Sequence, residues 1–160
     1  MVRAKVVSFE DKLDEGWIQV EMPWLGTSNP ATMWARLATP DAGNNRGWVS
    51  LPEPDDEVLV AFVNDDLREP VIVGSVWNAK AKPPKPYDSK KNDARAFGSR
   101  SGHEILLSDE SDKGMIELKS AAGQTLTIDD ASGKESISLA DKAGNTLTMD
   151  KNGIVLEAAS

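Results

Sequence analysis

The sequence predicts an all-β protein in two halves, a small N-terminal barrel followed by a C-terminal stack of repeated strands. Three observations predict it. Apolar and polar residues alternate along short segments, which is the period of a strand and not of a helix. Gly102, Gly123 and Gly144 stand 21 residues apart, and each opens the same phrase: Gly102-His-Glu-Ile-Leu-Leu, Gly123-Gln-Thr-Leu-Thr-Ile and Gly144-Asn-Thr-Leu-Thr-Met. A fixed period of this length marks a repeat architecture. Finally, all five tryptophans precede residue 78 and all nine prolines precede residue 87, so the chain changes texture midway.

In the first half, the strand segments are 4–9, Trp17-Ile-Gln-Val-Glu-Met22, Met33-Trp-Ala-Arg-Leu37, Trp48-Val-Ser-Leu51, Glu57-Val-Leu-Val-Ala-Phe-Val63 and Pro70-Val-Ile-Val-Gly-Ser-Val-Trp77. Turns at 11–16, 26–32 and 64–69 separate them, rich in Gly, Asn, Asp and Pro. Short strands so punctuated, with no helical stretch, predict a barrel or sandwich, and residues 1–78 suit an OB-type barrel. Residues 79–98 read as a linker, because Lys80-Ala-Lys-Pro-Pro-Lys-Pro86 favours extended, semi-rigid geometry.

Residues 99–160 carry the repeat. A second phrase recurs at the same spacing, Met115-Ile-Glu-Leu118 returning as Ser136-Ile-Ser-Leu139. Because side chains alternate faces along a strand, Ile105, Leu107, Ile116, Leu118, Leu126, Ile128, Ile137, Leu139, Leu147, Met149, Ile154 and Leu156 fall on one inward face. Glu104, Leu106 and Ser108 then point outward, as do Thr125, Thr127, Ser136, Ser138, Thr146 and Thr148. The turns are 109–113, 129–134 and 150–153, the last being shorter than the others. Each strand offers about two inward side chains, too few to fold alone. Two arrangements enlarge that core: a single-chain solenoid, or three identical chains wound together, which also removes open strand edges.

Composition narrows the function classes. The chain has 160 residues and a formal charge of −8, a sign that disfavours binding to a phosphate backbone. It has no cysteine and a single histidine, His103, so thiolate chemistry and a His-based catalytic triad are not expected. No apolar run is long enough to cross a bilayer, and the first residues lack the apolar core of a signal peptide. The carboxylate groups Asp55-Asp56-Glu57 and Asp129-Asp130 suit acid–base work or calcium binding in principle, but both fall at turns, where Asp bonds its own backbone. His103, at the entrance to the repeats, would gather in three copies near a threefold axis if chains trimerise. Trp17, Trp34 and Trp48 are expected in the barrel core or an interface, and Trp24 and Trp77 near loops between subunits. No catalytic, cofactor or metal site is expected.

Three stretches then carry a resemblance. They are Trp34-Ala-Arg-Leu-Ala38, the run from Trp48-Val-Ser-Leu-Pro-Glu-Pro to Val-Ala-Phe62, and Pro70-Val-Ile-Val-Gly-Ser-Val-Trp-Asn78 with the lysines and prolines after it. With Ser99-Arg-Ser-Gly-His-Glu-Ile105, their order resembles the central spike proteins of contractile injection machines, the group of VgrG, phage gp5 and phage baseplate protein V. The resemblance implies an OB fold followed by an intertwined triple-stranded β-helix in a homotrimer, a needle driven into a target envelope. The implied partners are baseplate hub and inner tube proteins, a PAAR-type tip protein, effector cargo and the target membrane, with no nucleic acid. It also implies assembly in the cytoplasm and delivery outward on firing. The chain starts close to the OB segment, as in a short spike or the spike portion of a longer protein. Its linker is too short for the lysozyme domain of some relatives, and residues 153–160 hold no histidine for a metal-binding tip. Two other classes remain open: a β-solenoid acting on or binding glycans, with Asp129 as its test residue, and an OB-fold nucleic-acid binder using the tryptophans.

Overall fold

Alternation in the first half closes a barrel. The computed structural model describes the chain except residues 12–14, 26–29, 86, 87, 89 and 160. Parts of the turns and linker read from the sequence therefore lie outside the described residues. Contacts divide the chain into two units, Met1–Lys82 and Pro83–Ser160.

In the first unit, β1 (Val2–Ser8), β2 (Trp17–Met22), β3 (Ala31–Leu37), β6 (Glu57–Phe62) and β7 (Pro70–Ser75) close in the order β1-β2-β3-β7-β6. All these pairings are antiparallel except β3 with β7, the parallel contact that completes the ring. A closed sheet has no free edges and one interior. Every second residue of β2 enters it: Ile18, Val20 and Met22 are fully buried against Ala4, Val6, Ala35, Val58, Val60 and Ile72. A small barrel leaves room for side chains of this size and little else.

Two details of this half differ from the sequence reading. Trp48-Val-Ser-Leu51 is not a strand. The Trp48 N–H bonds the Asp41 carbonyl (2.9 Å) and the Thr39 hydroxyl bonds the Trp48 carbonyl (2.8 Å), so this backbone is held by a loop, with Pro52 and Pro54 following. The strand pair formed instead is the short hairpin β4 (Ala42–Gly43) and β5 (Arg46–Gly47).

The second unit is a single antiparallel sheet. β8 (Ala94–Gly98), β9 (Glu104–Ser108), β10 (Met115–Lys119), β11 (Thr125–Asp129), β12 (Ser136–Ala140), β13 (Thr146–Asp150) and β14 (Gly153–Glu157) follow one another in sequence order, each bonded to the next. β8 falls within the stretch 79–98 that reads as linker from the sequence. Its Ala-Arg-Ala-Phe-Gly composition carries a weak strand signal, and its pairing with β9 supplies the order.

Candidate interaction surface

Hairpins in register and a period of two place the repeat's apolar residues in straight rows. Leu107, Ile116, Ile128, Ile137, Met149 and Ile154 are successive cross-strand neighbours from β9 to β14. Ile105, Leu118, Leu126, Leu139, Leu147 and Leu156 form a second row beside them. All twelve side chains therefore share one face. Within one chain that face is open: Leu126, Ile128 and Leu147 are half-buried and the rest are exposed, with Leu156 at 79%. Its upper part encloses a shallow concavity of about 710 Å³. Contiguous apolar surface on this scale marks an interaction site.

The opposite face is mostly polar, with Glu117, Thr127, Ser138 and Thr148 in one row and Lys119, Thr125 and Thr146 in the next. Leu106 corrects the outward assignment of the sequence reading. It lies on this second face yet is only 8% exposed, the one core position among the described residues of this unit. Strand alternation cannot foresee this. The preceding chain lies against that side, where the Lys85 ammonium meets the Glu104 carboxylate at 2.7 Å and Pro84 packs beside Gly98.

The three glycines build one turn three times. Gly102, Gly123 and Gly144 have φ of +92°, +97° and +98°, a left-handed conformation that side chains disfavour. Each donates its N–H to the carbonyl three residues back, Ser99, Ser120 or Asp141. Those same residues close the turn from the other side. Ser99 Oγ, Ser120 Oγ and Asp141 Oδ1 accept the backbone N–H of His103 (3.0 Å), Gln124 (3.0 Å) and Asn145 (2.9 Å). Sequence reasoning found the glycines and missed these oxygens. Their signal was present, since positions 99, 120 and 141 keep the same 21-residue period. The Asn145 side-chain amide donates to Asp141 Oδ2 at 2.6 Å; this bond, and then the Asn145 N–H, hold the Asp141 carboxyl below its usual range.

Family comparison bears on the same two units. Residues 2–77 match the Type VI secretion system/phage-baseplate injector OB domain, and residues 115–160 match the phage baseplate V C-terminal trimerisation domain. Over both units the chain is therefore similar to phage-baseplate V and Type VI secretion system spike proteins. Similar proteins include the actin cross-linking toxin VgrG1 of Vibrio cholerae, 31% identical over 74 residues, which are 44% of this chain and 7% of that protein. The Type VI secretion system spike protein VgrG1c of Pseudomonas aeruginosa is 27% identical over 105 residues, 59% of this chain and 14% of the relative. The chain thus spans a small part of these spike proteins' length. The trimerisation match covers β10 to β14, most of the open apolar face.

The remaining candidate groups of the chain are engaged in local structure. His103 stands exposed in the first turn, and its Nδ1 accepts the Ala121 N–H at 3.1 Å, tying one repeat turn to the next. Asp129 Oδ1 accepts the Ala131 N–H of its own turn at 2.8 Å. Asp55 has a left-handed backbone (φ +77°) and meets Lys5 at 2.5 Å; this contact lowers the Asp55 pKa and raises that of Lys5. Asp56 accepts the Glu53 N–H at 2.9 Å. Among the described residues no three His, Cys, Asp or Glu side chains gather to hold a metal. No helix among them is long and apolar enough to cross a membrane.

The tryptophans are not in the barrel core, which corrects that half of their expected placement. Trp17 occupies the outer phase of β2, where Arg36 stacks 4.9 Å from its ring and Glu15 accepts its indole N–H at 3.0 Å. Trp24, Trp34, Trp48 and Trp77 are exposed, Trp77 at 67%. Alternation gives the interior to Ile18, Val20 and Met22, which leaves the ring of Trp17 outside.

Proposed function

We propose that three copies of this chain bring their apolar faces together as an intertwined triple-stranded β-helix, the shaft of a central spike in a contractile injection machine. The observation that carries the reading is the pair of six-residue rows, Leu107 to Ile154 and Ile105 to Leu156, lying open on one face of a sheet. The match of residues 115–160 to a trimerisation domain supports three copies as the occupant. In this reading the twelve row residues are the trimer core, and Gly102, Gly123 and Gly144 shape the turns between layers.

Its role is mechanical and non-enzymatic. Sheath contraction drives a rigid needle into an envelope, and a needle needs stiffness more than a pocket. Dense strand pairing and a continuous apolar core supply that stiffness. The baseplate hub, inner tube, a PAAR-type tip protein, cargo and the target membrane are its proposed partners. It is assembled in the cytoplasm into a tail or injection particle and is extracellular, or inside the target, after firing. Native mass measurement of the pure chain tests the reading: the expected mass is three times that of one chain, and a monodisperse monomer overturns it.

A further inference from the structure

The last hairpin carries a reactive pair that has no part in a spike. Asn152 is the one asparagine in the chain followed by glycine, and it stands at the tip joining β13 to β14. Asparagine is among the thermally labile residues. The backbone nitrogen that follows it can close on its side-chain carbonyl carbon, and glycine, having no Cβ, hinders that approach least. Lys151, Asn152 and Gly153 are all exposed. Apart from chain neighbours, no atom of the described residues lies within 4 Å of where a side chain on Gly153 would begin. The two earlier turns on this edge set Lys113 before Gly114 and Ser132 before Gly133, so neither offers a carboxamide there.

Asp150 holds the Asn152 side chain. Its Oδ1 accepts the Asn152 backbone N–H at 2.7 Å, and its Oδ2 accepts the Asn152 Nδ2–H at 3.0 Å. The carboxamide is thereby drawn back toward Asp150, in the opposite chain direction from Gly153. Asn145 makes the same two bonds to Asp141, at 2.9 and 2.6 Å, and its Oδ1 also accepts the Ala159 N–H. There, however, the next residue is Thr146, whose branched side chain crowds the nitrogen that would attack.

We propose that Asn152 is a site of self-modification, deamidating by attack of the Gly153 nitrogen, with Asp150 as the restraint that sets the rate. The bond formed joins the Gly153 nitrogen to Asn152 Cγ. That nitrogen gives up its proton, and the side-chain Nδ2 leaves as ammonia. Water then opens the resulting five-membered ring at either carbonyl, giving aspartate or isoaspartate; nothing is oxidised or reduced. Isoaspartate adds a methylene to the main chain between Asp150 and Gly153, which pair across a connection of two residues with no slack. It also sets a new carboxylate beside Asp150. Both changes loosen β14, whose Ile154 and Leu156 end the apolar rows. The site lies within one chain and does not depend on how many copies assemble.

Peptide mapping of the full chain, held in mildly alkaline buffer, tests the proposal. Conversion of amide to acid should appear at Asn152 well before Asn145, and amide exchange in β14 should quicken in the modified fraction. Asp150→Ser keeps an oxygen for the Asn152 N–H but frees the carboxamide, and should convert about fivefold faster or more. The parent chain unfolded in guanidinium should likewise convert faster than the folded one. An Asn152 that stays intact in the folded chain, or converts no sooner than Asn145, overturns the site. Equal rates in the folded and unfolded parent overturn the restraint by Asp150, whatever the variant does.

Discussion

In the barrel, Ile18, Val20 and Met22 alternate with Trp17, Gln19 and Glu21 and are fully buried. In the repeated sheet, Leu126 alternates with Thr125 and Thr127 as strictly, yet none of the three is buried. The difference lies in connectivity. The parallel contact of β3 with β7 bends the first sheet into a ring, and its inner face becomes a core within one chain. The second sheet keeps strict sequence order and has two edges, β8 and β14, so its apolar face needs something from outside. Alternation therefore says which residues share a face; topology decides whether that face is satisfied alone.

The sharpest way to break this contrast is Leu126→Asp. In the proposed trimer it places three carboxylates in one layer, and burying unpaired charge costs several kcal/mol per ion. Sedimentation should show loss of the trimer while the barrel's unfolding transition is kept; an unchanged mass would mean that Leu126 is not interior. The converse change, Ile18→Ala, leaves a cavity in a closed core and should cost roughly 2–5 kcal/mol of barrel stability. Calorimetry should show a lowered barrel transition with the oligomer intact, and coupled loss of both would mean that the units do not fold separately.

Smaller effects test the turns. Gly123→Ala forces a side chain into a left-handed position (φ +97°) and should cost on the order of 1–2 kcal/mol per chain, read from denaturant unfolding. Ser120→Ala removes the acceptor for the Gln124 N–H and should cost about 1 kcal/mol, with Ser120→Asp restoring it as Asp141 does in the third repeat. The least effect is acid sensitivity at that third turn. Because the folded Asp141 pKa lies below its ordinary value of 3.8, its contribution is present above that value and fades as pH falls below it. Asp141→Ser keeps a turn acceptor without the titration, so its unfolding midpoint should fall less between pH 5 and pH 3 than the parent's. Equal losses would remove Asp141 from the acid response.

Much of this was legible before any coordinates. The period of two placed all twelve row residues on one face, and the 21-residue spacing located the left-handed glycines. The misses share a cause. Leu106 is buried on the side of the sheet where Lys85 meets Glu104, Trp48 is held in a loop by a carbonyl seven residues back, and β8 is a strand because β9 pairs with it. Each depends on a contact that local pattern does not encode. Ser99 and Ser120 are different, since their period was visible and only their small size concealed it.

A chain that repeats itself can also be stacked wrongly. If one copy slid past another by a single repeat, Leu126 would meet the place of Leu147, Ile128 that of Met149, and the apolar rows would still match. Little in the rows penalises such an error. What penalises it is the unequal last hairpin, where the turn at Lys151 and Asn152 joins β13 to β14 directly while the earlier turns at that edge are longer. At the other end β8 carries Phe97, and no later repeat offers a phenylalanine, tyrosine or tryptophan. In the proposed trimer the irregular features at the two ends of the sheet would thus be alignment marks, fixing which layer faces which in a sequence whose middle would accept several answers.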